Sequence, residues 1–297
     1  MKVPLVTSSA RRLLVVTIGV VIAFVGSVPA SAQQAPVGLG TAASFAVLAG
    51  ETITNTGPTT ITGDVGLHPG TAVTGFASVT LNGALHATDA VAEQAKVDLV
   101  TAYNDAAGRT PVTTVATELG GQTLTAGVYN SASGTFQITG TLTLDAQGDP
   151  NATFVFQMAS TLVTAPASSV NVINGGTACN VYWQVGSSAT LGTASTFRGT
   201  IMALTSISLT TGATIEGRAL ARNGAVTMDT NTITQAACQA PTTTTSTAAP
   251  TTTTTTATTA ATPIARTGSS LTVVTVIGLC MVGAGAASLV AARRRAQ

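Results

Sequence analysis

Two histidines, His68 and His86, and eleven carboxylates are all the chain offers for proton transfer near neutral pH. His68 sits in a turn, Gly66-Leu67-His68-Pro69-Gly70, and His86 precedes a helix-forming stretch. Neither has the His/Cys/Asp spacing of a zinc site, and no Gly-x-Ser-x-Gly elbow occurs. Asp64, Asp89, Asp98, Asp105 and Asp145 are scattered over turns and helix surface. A polysaccharide-cleaving β-helix would need such acids clustered. With 8 % charged residues and a formal net charge of +1, no long-range field draws nucleic acid or acidic substrates. The residues predict a protein that is not an enzyme, takes no cofactor, holds no metal and binds no nucleic acid. What remains is threonine, repeated in short strings that also carry Ala or Gly.

The ends of the chain read as addresses. Lys2, Arg11 and Arg12 precede an apolar run and Ala30-Ser31-Ala32, a secretory signal over residues 1–32. Residues 240–263 are almost entirely Thr, Ala and Pro, with no apolar pattern to bury, so they read as a disordered stalk. Residues 271–292 are apolar for long enough to cross a bilayer, and the basic tail 293–297 would stay cytoplasmic. Ile264-Ala265-Arg266-Thr267-Gly268, the span and the Arg tail together resemble a Gram-positive sorting signal. The resemblance implies sortase cleavage between Thr267 and Gly268 and attachment to peptidoglycan, although Ile264-Ala265 departs from the usual Leu-Pro or Leu-Ala. A retained membrane anchor is the alternative. Either way the body lies outside the cell, on the surface of a Gram-positive, actinobacterial-type bacterium. An oxidising compartment favours a disulfide between Cys179 and Cys238 over two buried thiols.

The elements that must position the threonines lie in residues 33–239. Ala92, Ala95, Leu99, Ala102, Tyr103 and Ala106 recur at helical spacing, predicting a helix over about 89–107. Thr88 or Asp89 caps it, Glu93 and Lys96 pair at i,i+3, and Gly108 ends it. The rest is short strands separated by Gly, Asn, Asp and Pro. Leu191-Gly192-Thr193-Ala194-Ser195-Thr196-Phe197-Arg198-Gly199 aligns with Leu209-Thr210-Thr211-Gly212-Ala213-Thr214-Ile215-Glu216-Gly217 at an offset of 18 residues (209 − 191). Met228-Asp229-Thr230-Asn231-Thr232-Ile233 is a shorter copy, and Leu162-Val163-Thr164-Ala165-Pro166-Ala167 a weaker one. That period fits one coil of a three-sided, mainly β solenoid.

Leu39-Gly40-Thr41-Ala42-Ala43-Ser44-Phe45, Thr62-Gly63-Asp64-Val65-Gly66 and Gly217-Arg218-Ala219-Leu220-Ala221-Arg222-Asn223-Gly224 resemble the microbial ice-binding-like family (DUF3494). The resemblance implies a right-handed, discontinuous, triangular β-helix with one long helix packed along its axis. It also implies ice binding through a flat Thr-Ala/Gly-x-Thr/Asn face, and the chain is expected to act as a monomer. The matching residues are Thr71 and Thr74, Thr193 and Thr196, Thr211 and Thr214, with Thr164, Thr230 and Thr232 in incomplete copies. Thr56-Gly57-Pro58-Thr59 also fits as a string.

The physical case rests on threonine itself. Branching at Cβ restricts χ1, so methyl and hydroxyl are held nearly fixed. A stack of coils repeats them as a grid on which water can order. Threonine is equally a good strand residue, so a non-ice-binding adhesive or structural wall module is the alternative reading. Arg198, Glu216 and Arg218 flank the strings and are expected at corners or on another face, with Glu216 paired to an Arg of an adjoining coil.

Overall fold

The computed structural model describes residues 34–236 and 238. The signal segment, stalk, sorting motif, apolar span and basic tail lie outside the described residues. No helix among the described residues is long and apolar enough to cross a membrane.

Short parallel strands wind into a three-faced stack. The strand Val181–Val185 is buried at every position, because one side faces the solenoid interior and the other faces the helix. Its rung sits between Phe154–Met158 and the second half of the strand Thr196–Ala203. Val47, Phe156, Trp183, Ile201 and Ala219 belong to the interior core. Leu48, Val155, Tyr182, Met202 and Leu220 pack with Ala95, Leu99, Ala102, Tyr103 and Ala106 of the helix. The second face is a seven-stranded sheet running from Ala72–Thr74 through Thr52–Thr56, Val226–Asp229, Ile207–Leu209, Ala189–Leu191 and Leu162–Thr164 to Phe136–Ile138. The third face runs from Val79–Asn82 through Thr59–Thr62, Thr232–Thr234, the first halves of Thr214–Ala221 and Thr196–Ala203, Ser169–Ile173 and Thr141–Asp145 to Thr123–Thr125.

The stacking order is not the chain order. The strand Phe45–Ala49 pairs with Asp64–Leu67 on one side and with Thr214–Ala221 on the other. The first coils therefore stack against the last ones. The helix Ala90–Gly108 then carries the chain back along the first face. At 1.5 Å per residue its 19 residues span about 28 Å, or about six coil spacings of ~4.8 Å.

Asp89 caps the helix, its carboxylate accepting from Ala92 N at 2.8 Å. The buried helix face contains every residue expected from the spacing and, in addition, Lys96. Lys96 does not pair with Glu93 as the i,i+3 spacing suggested. Its amino group points under the helix and donates to the carbonyls of Ala221 and Arg222.

Two eight-residue strands each serve two faces by bending at a glycine. Gly217 has φ +148, and a Cβ there would lie 2.0 Å from the Gly199 carbonyl oxygen. Only glycine fits such a bend. The interior is filled by an aromatic stack: Phe156 and Trp183 lie 4.0 Å apart, nearly parallel, with Phe197, Phe136 and Tyr129 around them.

Candidate functional site

The repeated strings occupy one corner of the solenoid and the strand that follows it. In Gly192-Thr193-Ala194-Ser195 the Ser195 N–H donates to the Gly192 carbonyl at 3.1 Å, and Ala194 is left-handed at φ 54. This tight turn exposes Thr193 and Ala194, buries Ser195 and brings Thr196 out as the first residue of the third face. The next coil repeats the turn with Gly212 at φ +72 and Ala213 buried. Coils register at the corner through the Ala194 N–H to the Thr211 carbonyl (3.0 Å) and the Gly212 N–H to the Asp229 carbonyl (3.1 Å).

The first outward-facing residue of the third face forms a ladder. Thr80 pairs with Thr60, Thr60 with Thr232, Thr232 with Thr214, Thr214 with Thr196, Thr196 with Ser169, and Ser169 with Thr141. Every rung in that run carries a hydroxyl. Thr214 and Ser169 are half-buried and the others exposed. Adjacent rungs lie about 4.8 Å apart.

Of the sequence-predicted residues, Thr196, Thr214 and Thr232 stand consecutively in this ladder, with Thr193 and Thr211 at the corner beside them. Thr230 is exposed but occupies the left-handed slot of Ala194 and Gly212, at φ 53. Asp229 holds the corner slot of that coil and accepts from the Thr211 hydroxyl. Thr74 is the exposed last residue of the edge strand Ala72–Thr74 on the second face and Thr71 the exposed residue just before that strand, so neither stands in the third-face ladder.

Thr164 is a correction. It is buried, and its hydroxyl accepts from Gly192 N at 2.9 Å, so it faces the interior and cannot touch an external surface. Thr59, the last residue of the string Thr56-Gly57-Pro58-Thr59, is buried for the same kind of reason: it accepts from Asn231 N at 3.0 Å. The string in that coil is displaced along the corner, so the outward position falls on Thr60. Thr141 was missed because its coil has a shorter corner, and Thr60, Thr80 and Ser169 because in their coils the threonine string is displaced along a corner of ordinary length. Register, not string matching, finds them.

The charged residues also depart from expectation. Arg198 and Glu216 do pair across adjoining coils, at 2.9 Å, but they project from the third face itself, two residues along the strands from Thr196 and Thr214. Arg198 also donates to Asn171 Oδ1 at 2.8 Å. Arg218 is buried and donates to the Ala43 carbonyl at 3.1 and 3.0 Å, fastening the N-terminal segment to a late coil.

The second face offers a poorer grid. Its central outward column is Thr74, Thr54, Thr227, Ser208, Thr190, Val163 and Gln137. Thr54, Ser208 and Thr190 are half-buried, and Val163 and Gln137 end the hydroxyl run. The Ser188 and Ser206 hydroxyls beside it accept from backbone N–H groups of Ser206 and Ala225.

Cys179 and Cys238 are joined in a disulfide. Among the described residues no group of His, Cys, Asp and Glu could hold a metal ion.

A family model for ice-binding-like proteins matches residues 47–234. An ice-binding protein of Nostoc sp. (strain HG1) is 55 % identical over 205 residues, covering 68 % of this chain and 76 % of that protein. The crystal structure of an ice binding protein from an Antarctic biological consortium superposes with a TM-score of 0.67 at 54 % identity, covering 69 % of this chain and 93 % of that one. An ice-binding protein from the Antarctic ascomycete Antarctomyces psychrotrophicus gives a TM-score of 0.66 at 42 % identity, matched over its whole length. Both solved chains consist almost wholly of the part that matches the solenoid. By sequence and by overall superposition, this chain belongs to the ice-binding-like family.

Proposed function

We propose that the solenoid binds ice through the third face, with Thr80, Thr60, Thr232, Thr214, Thr196 and Thr141 as the hydroxyl-and-methyl ladder and Thr193 and Thr211 as a second column at the corner. The observation that carries this reading is the unbroken hydroxyl ladder on consecutive rungs. Restricted χ1 fixes each methyl and hydroxyl before ice arrives, so little side-chain entropy is lost on contact. Each contact with lattice water is weak. Rigid repetition makes many of them form together, as linked sites do in multivalent binding. The ion pair lies one column away and leaves the ladder itself free of charge. The ice-binding relatives support the same reading.

The rest of the chain delivers this surface to the cell exterior. Residues 1–32 direct export, residues 240–263 give reach, and the segment ending in Thr267–Gly268 makes the protein a substrate for sortase and peptidoglycan attachment. Residues 271–292 hold it in the membrane until that transfer.

Residues 33–239, purified, are expected to show thermal hysteresis and to inhibit ice recrystallisation. Thr60→Tyr and Thr232→Tyr are expected to remove at least four-fifths of the hysteresis while circular dichroism and melting stay unchanged. Full activity in both variants would overturn the face assignment. No effect of the wild-type solenoid on ice crystals would overturn the function.

A further inference from the structure

On the third face a second outward column runs beside the threonine ladder, two residues further along each strand. Its pairings give Asn82, Thr62, Thr234, Glu216 and Arg198 in order. Beyond Arg198 the column continues with Asn171, Thr143 and Thr123. Every member is a neutral hydroxyl or amide except the adjacent Glu216 and Arg198. Their side chains are 50 % and 31 % exposed, so the pair is in water and not sunk into the sheet. Arg198 also reaches Asn171, which extends the polar tie over one more rung.

We propose that the Arg198–Glu216 pair is a negative determinant of ice contact: it confines tight binding to the rungs of Thr232, Thr60 and Thr80, and removing it enlarges the ice-contacting area. This rests on the ice-binding reading of the third face. The physical basis is hydration and side-chain length. A carboxylate and a guanidinium each hold water tightly in an orientation set by charge, and that orientation competes with the one a lattice imposes. Both side chains are also longer than threonine, and Arg198 spans the rungs on either side of it. Thr196 and Thr214, on the same two strands, therefore have a charged neighbour on one side. On the Thr232 and Thr60 rungs the neighbours on that side are Thr234 and Thr62, exposed hydroxyls, so there the grid is two columns wide; the Asp229 carboxylate, in the corner slot of the Thr232 coil, lies on the other side of the ladder and is engaged by the Thr211 hydroxyl.

The double variant Arg198→Thr/Glu216→Thr continues that second column as Thr62, Thr234, Thr, Thr, Asn171 and Thr143. Thermal hysteresis of residues 33–239 is expected to rise at least twofold at equal concentration. Either single variant, which leaves one charge unpaired, should gain less than the double. Circular dichroism and the melting curve report whether the sheet is intact. In the wild-type background, Thr60→Tyr and Thr232→Tyr should cost more hysteresis than Ser169→Tyr or Thr141→Tyr.

An unchanged or lowered hysteresis in a correctly folded double variant overturns the proposal, as do equal losses in the four tyrosine variants. If wild-type protein is active and Thr60→Tyr silences it while the double variant gains nothing, this inference fails and the ice-binding reading stands. If wild-type protein leaves ice untouched, the reading beneath it fails as well.

Discussion

Lys96 is the only lysine in residues 33–239, and its effect on stability can be isolated. Its side chain is buried under the helix, and burial, with the positive charge of Arg222 nearby, lowers its pKa from 10.5 to about 7. A neutral amine still has two N–H donors for the Ala221 and Arg222 carbonyls. The folded state can therefore give up the proton and keep both bonds. The unfolded chain holds the proton until about pH 10.5. Between about pH 7 and 10.5 the unfolded state thus binds more protons than the folded one, and stability rises with pH across that window. Below pH 7 both states are protonated and the contribution levels off at its most unfavourable value. Each pH unit inside the window is worth about 1.4 kcal/mol. At about 2–4 °C per kcal/mol for a domain of this size, melting should rise by about 5–11 °C from pH 7.5 to 9.5. Tyr129 and Tyr182, both raised by burial, titrate above that range. Lys96→Met should melt higher than wild type at pH 7.5 and lose most of the pH dependence. Calorimetric melts of both proteins at half-unit steps test this. Parallel curves for wild type and variant between pH 7.5 and 9.5 would refute the reasoning.

Thr164→Val removes the acceptor for Gly192 N. It should cost about 1–3 kcal/mol in chemical denaturation, with hysteresis per folded molecule unchanged, since Thr164 is interior. Replacing Cys179 and Cys238 together by Ser releases a loop with a sequence separation of 59 and should cost about 4 kcal/mol on the loop-entropy estimate, seen as a lower melting temperature without reductant. Gly217→Ala and Gly212→Ala form a matched pair at positive φ. The first places a Cβ 2.0 Å from a backbone oxygen and should prevent folding or cost more than about 3 kcal/mol. The second meets nothing closer than 4.0 Å and should cost about 1 kcal/mol. Equal losses for the two glycines would mean that the crowding at Gly217 is relieved by movement of the neighbouring coil.

The solenoid was legible because its repeats are written in residue type. Apolar positions such as Leu191, Phe197, Leu209 and Ile215 point inward in every coil, and the left-handed corner selects Ala194 or Gly212 at one place. The helix face was legible from 3.6-residue spacing alone. What failed were inferences that needed to know which coil lies beside which. The string around Thr164 looks like its neighbours, yet the chain there turns the threonine inward to satisfy a backbone amide. Thr60 was hidden by a string displaced along its corner, and Thr80 by a corner closed with a short 3₁₀ turn, Phe76–Ser78. Lys96 reads as one half of a helical ion pair until the strand carbonyls beneath it are known. The Arg198–Glu216 pairing followed from the 18-residue offset. Its position on the hydroxyl face depends on strand parity, which the corner resets.

The discontinuous winding bears directly on function. Thr60 and Thr232 are far apart in sequence but adjacent in the ladder, at the seam where the first coils meet the last. The Thr60 N–H donates to the Asn231 carbonyl at 2.9 Å, and the Asn231 side chain reaches back to the Thr210 and Ala213 carbonyls at 2.9 and 3.0 Å. One buried asparagine therefore holds the seam and the corner that carries Thr211 and Thr214. A continuous solenoid would leave its first and last strands as free edges, where fraying is greatest. Here the free edges fall instead on the strands Val79–Asn82 and Thr123–Thr125, at opposite ends of the face. The seam rungs are paired on both sides. They are also the rungs on which two hydroxyl columns run together without a charge. At the seam, strands paired on both sides thus coincide with the most regular part of the grid, and ordering water at a surface requires both.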